Sequence, residues 1–380
     1  MKEYVPSRVH PVEAPRQFAA PQLTTSLEEV DRLVQAAAAR QQFQVDGKDL
    51  TVAVLDTGLN TQHVDFTGRI QAQRNFTSDN NGPNDDVRDG YGHGTNVTGI
   101  VAARKGQHTG TAPGAMIASV KVLNNRGGGS FGDVAAGLRW VEEHRVAHNI
   151  TAVCMSLGDG RNHASDKPLF DTHEVTRLVE TLRGHRVPVC IAAGNEFFLH
   201  ESAQGMAFPG ILRAGISVGA VYDEFEGPFS YKNGAWTRAS GPDRITPFSQ
   251  RLHRSVGADC CTDIFAPGAP VRSAGINGPR GESIQHGTSQ AAPVATGVVL
   301  LMQEFHLREA GQLPTVEQLV DWLHRGGVSI QDGDDEVDNV ENTDLEFTRL
   351  SAVGSLVAVR RDLEKRLLES ETALKGGGMQ

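Results

Sequence analysis

The chain has 380 residues, a formal net charge of −10 and 39% hydrophobic residues. This length suits one large domain with a substantial core, and 42 glycines suit a scaffold rich in turns. The acidic balance, without any basic tract, argues against nucleic acid as the main partner. No apolar stretch reaches the length that spans a membrane, so we expect a protein that engages neither nucleic acid nor lipid.

The N-terminal region divides into two parts. Residues 1–25 contain four prolines and predict an extended segment. Ser26-Leu27-Glu28-Glu29 fits a capping box and predicts a helix that runs to about Gln42. No apolar signal region follows Met1, and four cysteines do not suggest a disulfide framework. We therefore expect a cytoplasmic protein, although a secreted mature form with an added Met would have the same sequence.

The middle of the chain alternates between strand and helix patterns. Thr51 to Leu55 is a short, β-branched apolar run that predicts a buried strand. Further strands are predicted at Thr151–Met155 and Val187–Ile191, each preceded by a helical pattern, over 133–148 and 171–184 respectively. This alternation predicts βαβ units and an α/β fold with a parallel sheet.

Three polar residues stand out against this pattern. Asp56 follows the first strand, where the functional crevice of an open α/β sheet lies. His93 lies in Gly-Tyr-Gly-His93-Gly-Thr, where the glycines leave the imidazole accessible. Ser289 lies in Gly-Thr-Ser289-Gln-Ala-Ala-Pro, at the start of a helical apolar run. Taken singly, each has an ordinary structural explanation: a turn aspartate, a loop histidine and a capped helix start.

Together, the three motifs resemble those of the subtilases, the subtilisin-like serine endopeptidases, over roughly residues 41–360. The order Asp, His, Ser along the chain is that of subtilisin. A fourth motif, Ala-Ala-Gly-Asn195-Glu, matches the segment whose Asn stabilises the oxyanion in that family. The resemblance implies a three-layer α/β sandwich with a central, mostly parallel sheet and helices on both faces. Within that family, the chain resembles the intracellular bacterial subtilisins most in character.

The resemblance further implies the roles of individual residues. Asp56 orients His93, His93 activates Ser289, and Asn195 donates to the oxyanion. Substrate is expected to bind between two segments, with Glu196 at the rim of the S1 pocket; the residues of these segments are Gly127, Gly128, Gly129, Phe131, Ser156, Leu157 and Gly158. The partners are thus protein or peptide substrates.

Two features depart from the secreted members of that family. Asp65 matches a calcium ligand, yet the loop over 104–110 is about two residues short and carries Arg104 and Lys105 where oxygen ligands are needed. We expect no cofactor for catalysis and leave a structural calcium ion open. Residues preceding the catalytic domain are too few for a folded prodomain, which raises the hypothesis of autoinhibition by the N-terminal extension.

The sequence predicts three regions: an extension over 1–40, a peptidase domain over 41–362 with a surface insertion at about 222–262, and a helical or flexible tail over 363–380. Two alternatives to a broadly acting protease stay open. One is a maturation or signalling protease with a single substrate. The other is a catalytically silent subtilase fold that serves as a binding module.

Overall fold

The computed structural model describes residues 8–11, 16–17, 27–104, 107–257 and 259–376. The strands, in chain order, are β1 Arg8–Pro11, β2 Arg16–Gln17, β3 Thr51–Asp56, β4 Ile70–Asn75, β5 Met116–Lys121, β6 Gly129–Ser130, β7 Ile150–Met155, β8 Leu157–Gly158, β9 Val189–Ala192, β10 Ile216–Tyr222, β11 Phe229–Tyr231, β12 Trp236–Thr237, β13 Ile264–Ala269, β14 Val271–Ala274, β15 Glu282–Gln285, β16 Val328–Gln331 and β17 Glu346–Arg349. The helices are α1 Leu27–Val34, α2 Ala36–Phe43, α3 His93–Ala102, α4 Phe131–His144, α5 Glu174–Gly184, α6 Arg254–Gly257, α7 Thr288–Ala310, α8 Val316–Gly326 and α9 Ala352–Gly376.

A nine-stranded sheet forms the centre of the fold, in the order β16-β17-β13-β10-β9-β7-β3-β5-β4. Neighbouring strands from β17 to β4 are parallel, and only the edge strand β16 is antiparallel to its neighbour. Parallel strands place their carboxyl ends along the same edge of the sheet. The residues that follow β3, β5 and β9 therefore meet there.

Both faces of the sheet are covered, which explains why its strands are apolar throughout. Along β3, Val52 and Val54 contribute to one core, which also contains α3 and α7. Ala53 and Leu55 point to the opposite face and pack with α4 and α5. The α/β three-layer sandwich predicted from the sequence is confirmed.

The helix predicted over residues 26–42 is present but divided in two. Gln35 adopts a left-handed conformation with φ of 61° and separates α1 from α2, while Ser26 lies outside the described residues. Val30, Val34 and Ala39 are buried in the main core. This part of the expected extension therefore packs as an integral part of the fold.

The insertion predicted at 222–262 likewise contributes to the interior. It contains the antiparallel pair β11–β12, and Phe229, Tyr231 and Phe248 are buried in the same core as α7. Part of the insertion therefore belongs to the hydrophobic core. Its strands are too short for their apolar pattern to predict this burial from the sequence. None of the helices within the described ranges combines the length and apolarity needed to cross a bilayer.

Candidate active site

Asp56 and His93 form a buried pair at the carboxyl edge of the sheet. Asp56 is the last residue of β3, and His93 is the first residue of α3. His93 Nδ1 lies 2.7 Å from Asp56 Oδ1, and the two residues are 0% and 1% exposed. The same carboxylate oxygen accepts a hydrogen bond from the Thr57 backbone N–H at 2.6 Å. These contacts fix both the carboxylate and the imidazole ring.

Close packing of α3 against the end of β3 makes this pair possible. A Cβ atom at Gly94 would lie 2.4 Å from the Gly58 carbonyl oxygen and 3.1 Å from Asp56 Cβ. Only glycine therefore allows the helix to begin so near the strand. The Gly94 N–H also donates to Thr57 Oγ1 at 2.8 Å, which ties the two segments together.

Ser289 is the second residue of α7 and is fully buried in this structure. Its hydroxyl donates to the Ser156 carbonyl oxygen at 3.1 Å, and the Ser156 hydroxyl donates to the Ser289 carbonyl oxygen at 2.8 Å. The nucleophile predicted from the sequence thus lies beside β8. Its place in the first turn of α7 exposes it to the positive end of the helix dipole.

Asn195 follows β9 and presents an unused donor. Its Oδ1 accepts hydrogen bonds from Thr288 N–H at 2.9 Å and Thr288 Oγ1 at 3.0 Å. Its Nδ2 is buried and has no hydrogen-bond partner among the described residues. The amide is therefore held by one end while its N–H groups remain available near Ser289. Sequence reasoning missed Thr288 as the residue that holds this amide, although its place next to the nucleophile was a signal.

Gln290, directly after Ser289, belongs to a buried amide network. Its Nε2 donates to Gln285 Oε1 at 3.0 Å and to Asn96 Oδ1 at 3.3 Å. Gln285 Nε2 donates in turn to the Gly92 carbonyl oxygen at 3.3 Å, directly before His93. The network therefore joins the start of the serine helix to the start of the histidine helix. No sequence motif indicated it.

Lys121 is a buried cation that the sequence reasoning also missed. It ends β5 opposite Asp56 and donates to the carbonyl oxygens of Thr57 and Leu123, the latter at 3.0 Å. Burial lowers the pKa of this ammonium group, and the nearby carboxylates, which include Asp56, oppose that shift. Lys121 therefore fixes the turn that follows Asp56.

The expected substrate-binding segments are occupied by the N-terminal part of the same chain. Strand β1 lies between β6 and β8 and is antiparallel to both. Val9 pairs with Gly129, and Pro11 pairs with Leu157. Val9 is 2% exposed and belongs to the cluster that contains Leu123, Phe131 and Leu157.

The remaining predicted binding residues lie around this strand. Gly158 pairs with His10, and Gly127 lines a cleft cavity of about 700 Å³ together with Pro11. Gly128 accepts a hydrogen bond from Asn124 N–H at 2.7 Å rather than pairing with β1. Glu196 accepts from the Asn195 N–H at 2.9 Å, and burial raises the pKa of its carboxyl group. Glu196 is thus partly enclosed rather than a solvated rim charge.

The surroundings of Asp65 do not fit a calcium ion. Its Oδ2 lies 2.7 Å from His108 Nδ1, and its Oδ1 accepts from the N–H groups of Gln107 and His108. Burial raises the pKa of Asp65, but these hydrogen bonds outweigh it and leave the pKa below its ordinary value. Both carboxylate oxygens already face N–H donors where calcium requires further oxygen ligands. Lys105 and Gly106 of this loop lie outside the described residues.

A parallel α/β sheet that brings an aspartate, a histidine, a helix-terminal serine and an amide donor to one edge is the arrangement of a serine hydrolase. The sequence model of the subtilase family matches residues 47–325. The chain belongs to the subtilase family.

Curated relatives are serine proteases. The chain is 32% identical over 278 residues to serine protease AprX of Bacillus subtilis, a match that covers 67% of this chain and 57% of AprX. It is 30% identical over 275 residues to an intracellular serine protease of Paenibacillus polymyxa, covering 72% and 71% of the two chains. It is 32% identical over 264 residues to the major intracellular serine protease of Bacillus subtilis, covering 69% and 70%. The match therefore spans little more than half of AprX and about seven-tenths of the other two.

Proposed function

We propose that the protein is an endopeptidase that cleaves peptide bonds through an acyl-enzyme on Ser289. His93 takes the proton from the Ser289 hydroxyl as it attacks the substrate carbonyl, and returns the proton to the leaving amine. Asp56 holds the ring and stabilises the imidazolium. Water then attacks the ester, with His93 again as the base, and releases the second product. No step requires a metal or an organic cofactor.

The observation that carries this proposal is the combination of the buried Asp56–His93 contact and the unused Asn195 donor. A buried amide N–H without a partner is costly in a purely structural role. Next to a nucleophile, however, it stabilises the negative charge that develops on the carbonyl oxygen. A catalytically silent binding module would have no use for both features.

The test compares Ser289→Ala with the exposed control Ser255→Ala. The Ser255 hydroxyl lies 2.7 Å from His253 Nδ1, which also accepts from the Ser255 N–H, so these residues form a serine–histidine pair outside the proposed site. We expect Ser289→Ala to abolish peptide hydrolysis and labelling by a fluorophosphonate, while Ser255→Ala retains both. Labelling that persists in folded Ser289→Ala would overturn the assignment.

Proteome-wide cleavage profiling of wild type against Ser289→Ala then separates two physiological roles. Many unrelated cleavage sites would favour general degradation, and a single cleaved protein would favour a dedicated processing enzyme. The names of two relatives lead us to propose an intracellular site of action, which subcellular fractionation in the source organism tests.

We further propose that the N-terminal segment inhibits the enzyme by occupying its cleft. Strand β1 forms the two antiparallel edge pairings that an extended substrate would form. Val9 packs in the apolar cluster that contains Phe131. Because two chains cannot pair with the same edges at once, bound substrate and bound β1 exclude each other.

A further inference from the structure

The hairpin β11–β12 borders the catalytic residues. In its turn, Asn233 Nδ2 donates to the carbonyl oxygen of Asn195 at 3.3 Å. The rings of Phe229 and Tyr231 lie 5.4 and 5.7 Å from the ring of His286, three residues before Ser289. The insertion at 222–262 therefore contacts Asn195 and a residue close to Ser289, although its sequence indicated no role.

One edge of β11 offers its backbone to another strand. The Tyr231 N–H donates to the Ala235 carbonyl oxygen at 2.8 Å, on the β12 side. Because backbone groups alternate along a strand, the N–H and C=O groups of Ser230 face the opposite edge. The Ser230 side chain is exposed, so its contribution to this edge comes from the backbone.

The chain itself shows what this edge accepts. Strand β2 is antiparallel to β11, with Arg16 opposite Tyr231 and Gln17 opposite Ser230. Strand β1 occupies the other end of the same cleft, with Pro11 opposite Leu157. One polypeptide therefore pairs with β6 and β8 up to Pro11 and with β11 from Arg16, five positions later.

The position of the cleaved bond follows from this register. A peptide bound like β1 would place its next residue, equivalent to position 12, opposite Ser156, whose carbonyl oxygen accepts from the Ser289 hydroxyl. If the bond after that residue is cleaved, positions 16 and 17 are the fourth and fifth residues beyond it. Strand β11 would thus lie on the leaving-group side.

We propose that β11 is a docking strand for the leaving-group side of extended peptide substrates, which it binds through the backbone of Ser230 in the manner of an added β-strand. The inference rests on the proposed peptidase function and adds a binding site to it. Substrates then need four or five residues after the cleaved bond for full efficiency. The N-terminal segment uses the same strand when it occupies the cleft.

The experiment compares Ser230→Pro with Ser230→Ala in the full chain. Each variant is made with and without Val9→Asp, which weakens the packing of β1 in the cleft. Proline removes the N–H donor on the edge that faces β2 and leaves the Tyr231 N–H in place, whereas alanine keeps both donors. Two substrates have the same residues before the cleaved bond. One ends in p-nitroanilide, and the other is an internally quenched peptide with six residues after the cleaved bond.

We expect Ser230→Pro to lower kcat/KM for the long peptide about 2- to 12-fold, the range for one lost backbone hydrogen bond, with Ser230→Ala near wild type. When Val9→Asp is also present, hydrolysis of the p-nitroanilide should stay within about twofold of the Val9→Asp enzyme, because this substrate makes no contact with β11. In wild-type protein, N-methylation of the long peptide should reduce cleavage most at the fourth or fifth residue after the bond. The experiment with N-methylated peptides does not depend on the folding of a variant.

The outcomes separate the two proposals. No hydrolysis of either substrate by wild type and Val9→Asp would refute the peptidase proposal. Equal losses on both substrates in folded Ser230→Pro, or an N-methyl scan without effect beyond the second residue, would overturn the docking strand while leaving the peptidase proposal intact.

Discussion

Replacing Val9 by Asp should convert an inhibited enzyme into an active one. The Val9 side chain is 2% exposed and packs in the cluster that contains Leu123, Phe131 and Leu157. A carboxylate at this position loses the apolar contact, and it must either lose its hydration or move out of the cluster. The substitution therefore acts on the closed state, in which β1 occupies the cleft, and leaves the catalytic residues unchanged.

The magnitude follows from the buried area. Full burial of a valine side chain contributes about 1.5–3 kcal/mol, and an aspartate would add a desolvation penalty to that loss. Since about 1.4 kcal/mol corresponds to a factor of ten, the ratio of open to closed enzyme should rise at least about 10- to 150-fold. Initial rates should rise by the same factor until most of the enzyme is open.

The assay is the initial rate on a short chromogenic peptide, with intact mass measured to show that the N-terminus is still attached. The control is Arg8→Ala, at an exposed position of the same strand, which should behave like wild type. A synthetic peptide of residues 1–17 should inhibit Val9→Asp competitively. A folded Val9→Asp enzyme with the wild-type rate, or a peptide that does not compete, would refute autoinhibition.

Asn195→Ala should lower kcat about 10²- to 10³-fold with little change in KM, as found when such an oxyanion donor is removed from subtilisin, and a loss confined to KM would contradict this role. Gln290→Met should leave buried amide oxygens unpaired and lower the melting temperature. It should also make activity sensitive to peroxide, because methionine is oxidised where glutamine is not; rapid inactivation of wild type would count against this reasoning. Burial raises the pKa of Asp223 well above its ordinary value of 3.8, with nearby carboxylates adding to the shift. The folded state then binds a proton that the unfolded state has released, so this group's contribution to stability decreases as the pH rises above 3.8. Asp223→Asn should accordingly raise the melting temperature at pH 8 more than at pH 4, and the reverse order would show that the sign is wrong. Because N–H donors surround Asp65, melting should be the same in EDTA and in excess calcium, and a clear decrease in EDTA would restore a calcium site.

Much of the fold could be predicted from the sequence because strong local patterns coincide with the final packing. Thr51–Leu55 is apolar at every position, which is what a parallel strand covered on both faces requires. The break at Gln35 could not be predicted, since the run from Leu27 to Phe43 is continuously helix-compatible. Val34 and Ala36, on either side of the break, are both buried in the main core.

The candidate site also has residues that the sequence predicts and residues that it does not. Asp56, His93, Ser289 and Asn195 stand in motifs, so their roles could be predicted and the structure brings the first two into contact. The residues that hold them, such as Thr288, act through a few hydrogen bonds between residues far apart in the sequence. No periodic pattern or spacing encodes such contacts. Asp65 shows the converse, because a matching motif residue has acquired different partners.

The N-terminal segment and the insertion have to be considered together. Strand β1 pairs with β6 and β8, and β2 pairs with β11, so the segment that we propose as an inhibitor is held at two places. Both attachments use backbone edges that substrates would also use. A change that weakens these edges therefore weakens inhibition and substrate binding together. Affinity for the segment can be adjusted independently only through its own side chains, and in β1 these are the buried Val9, which packs in an apolar cluster, and the buried Pro11.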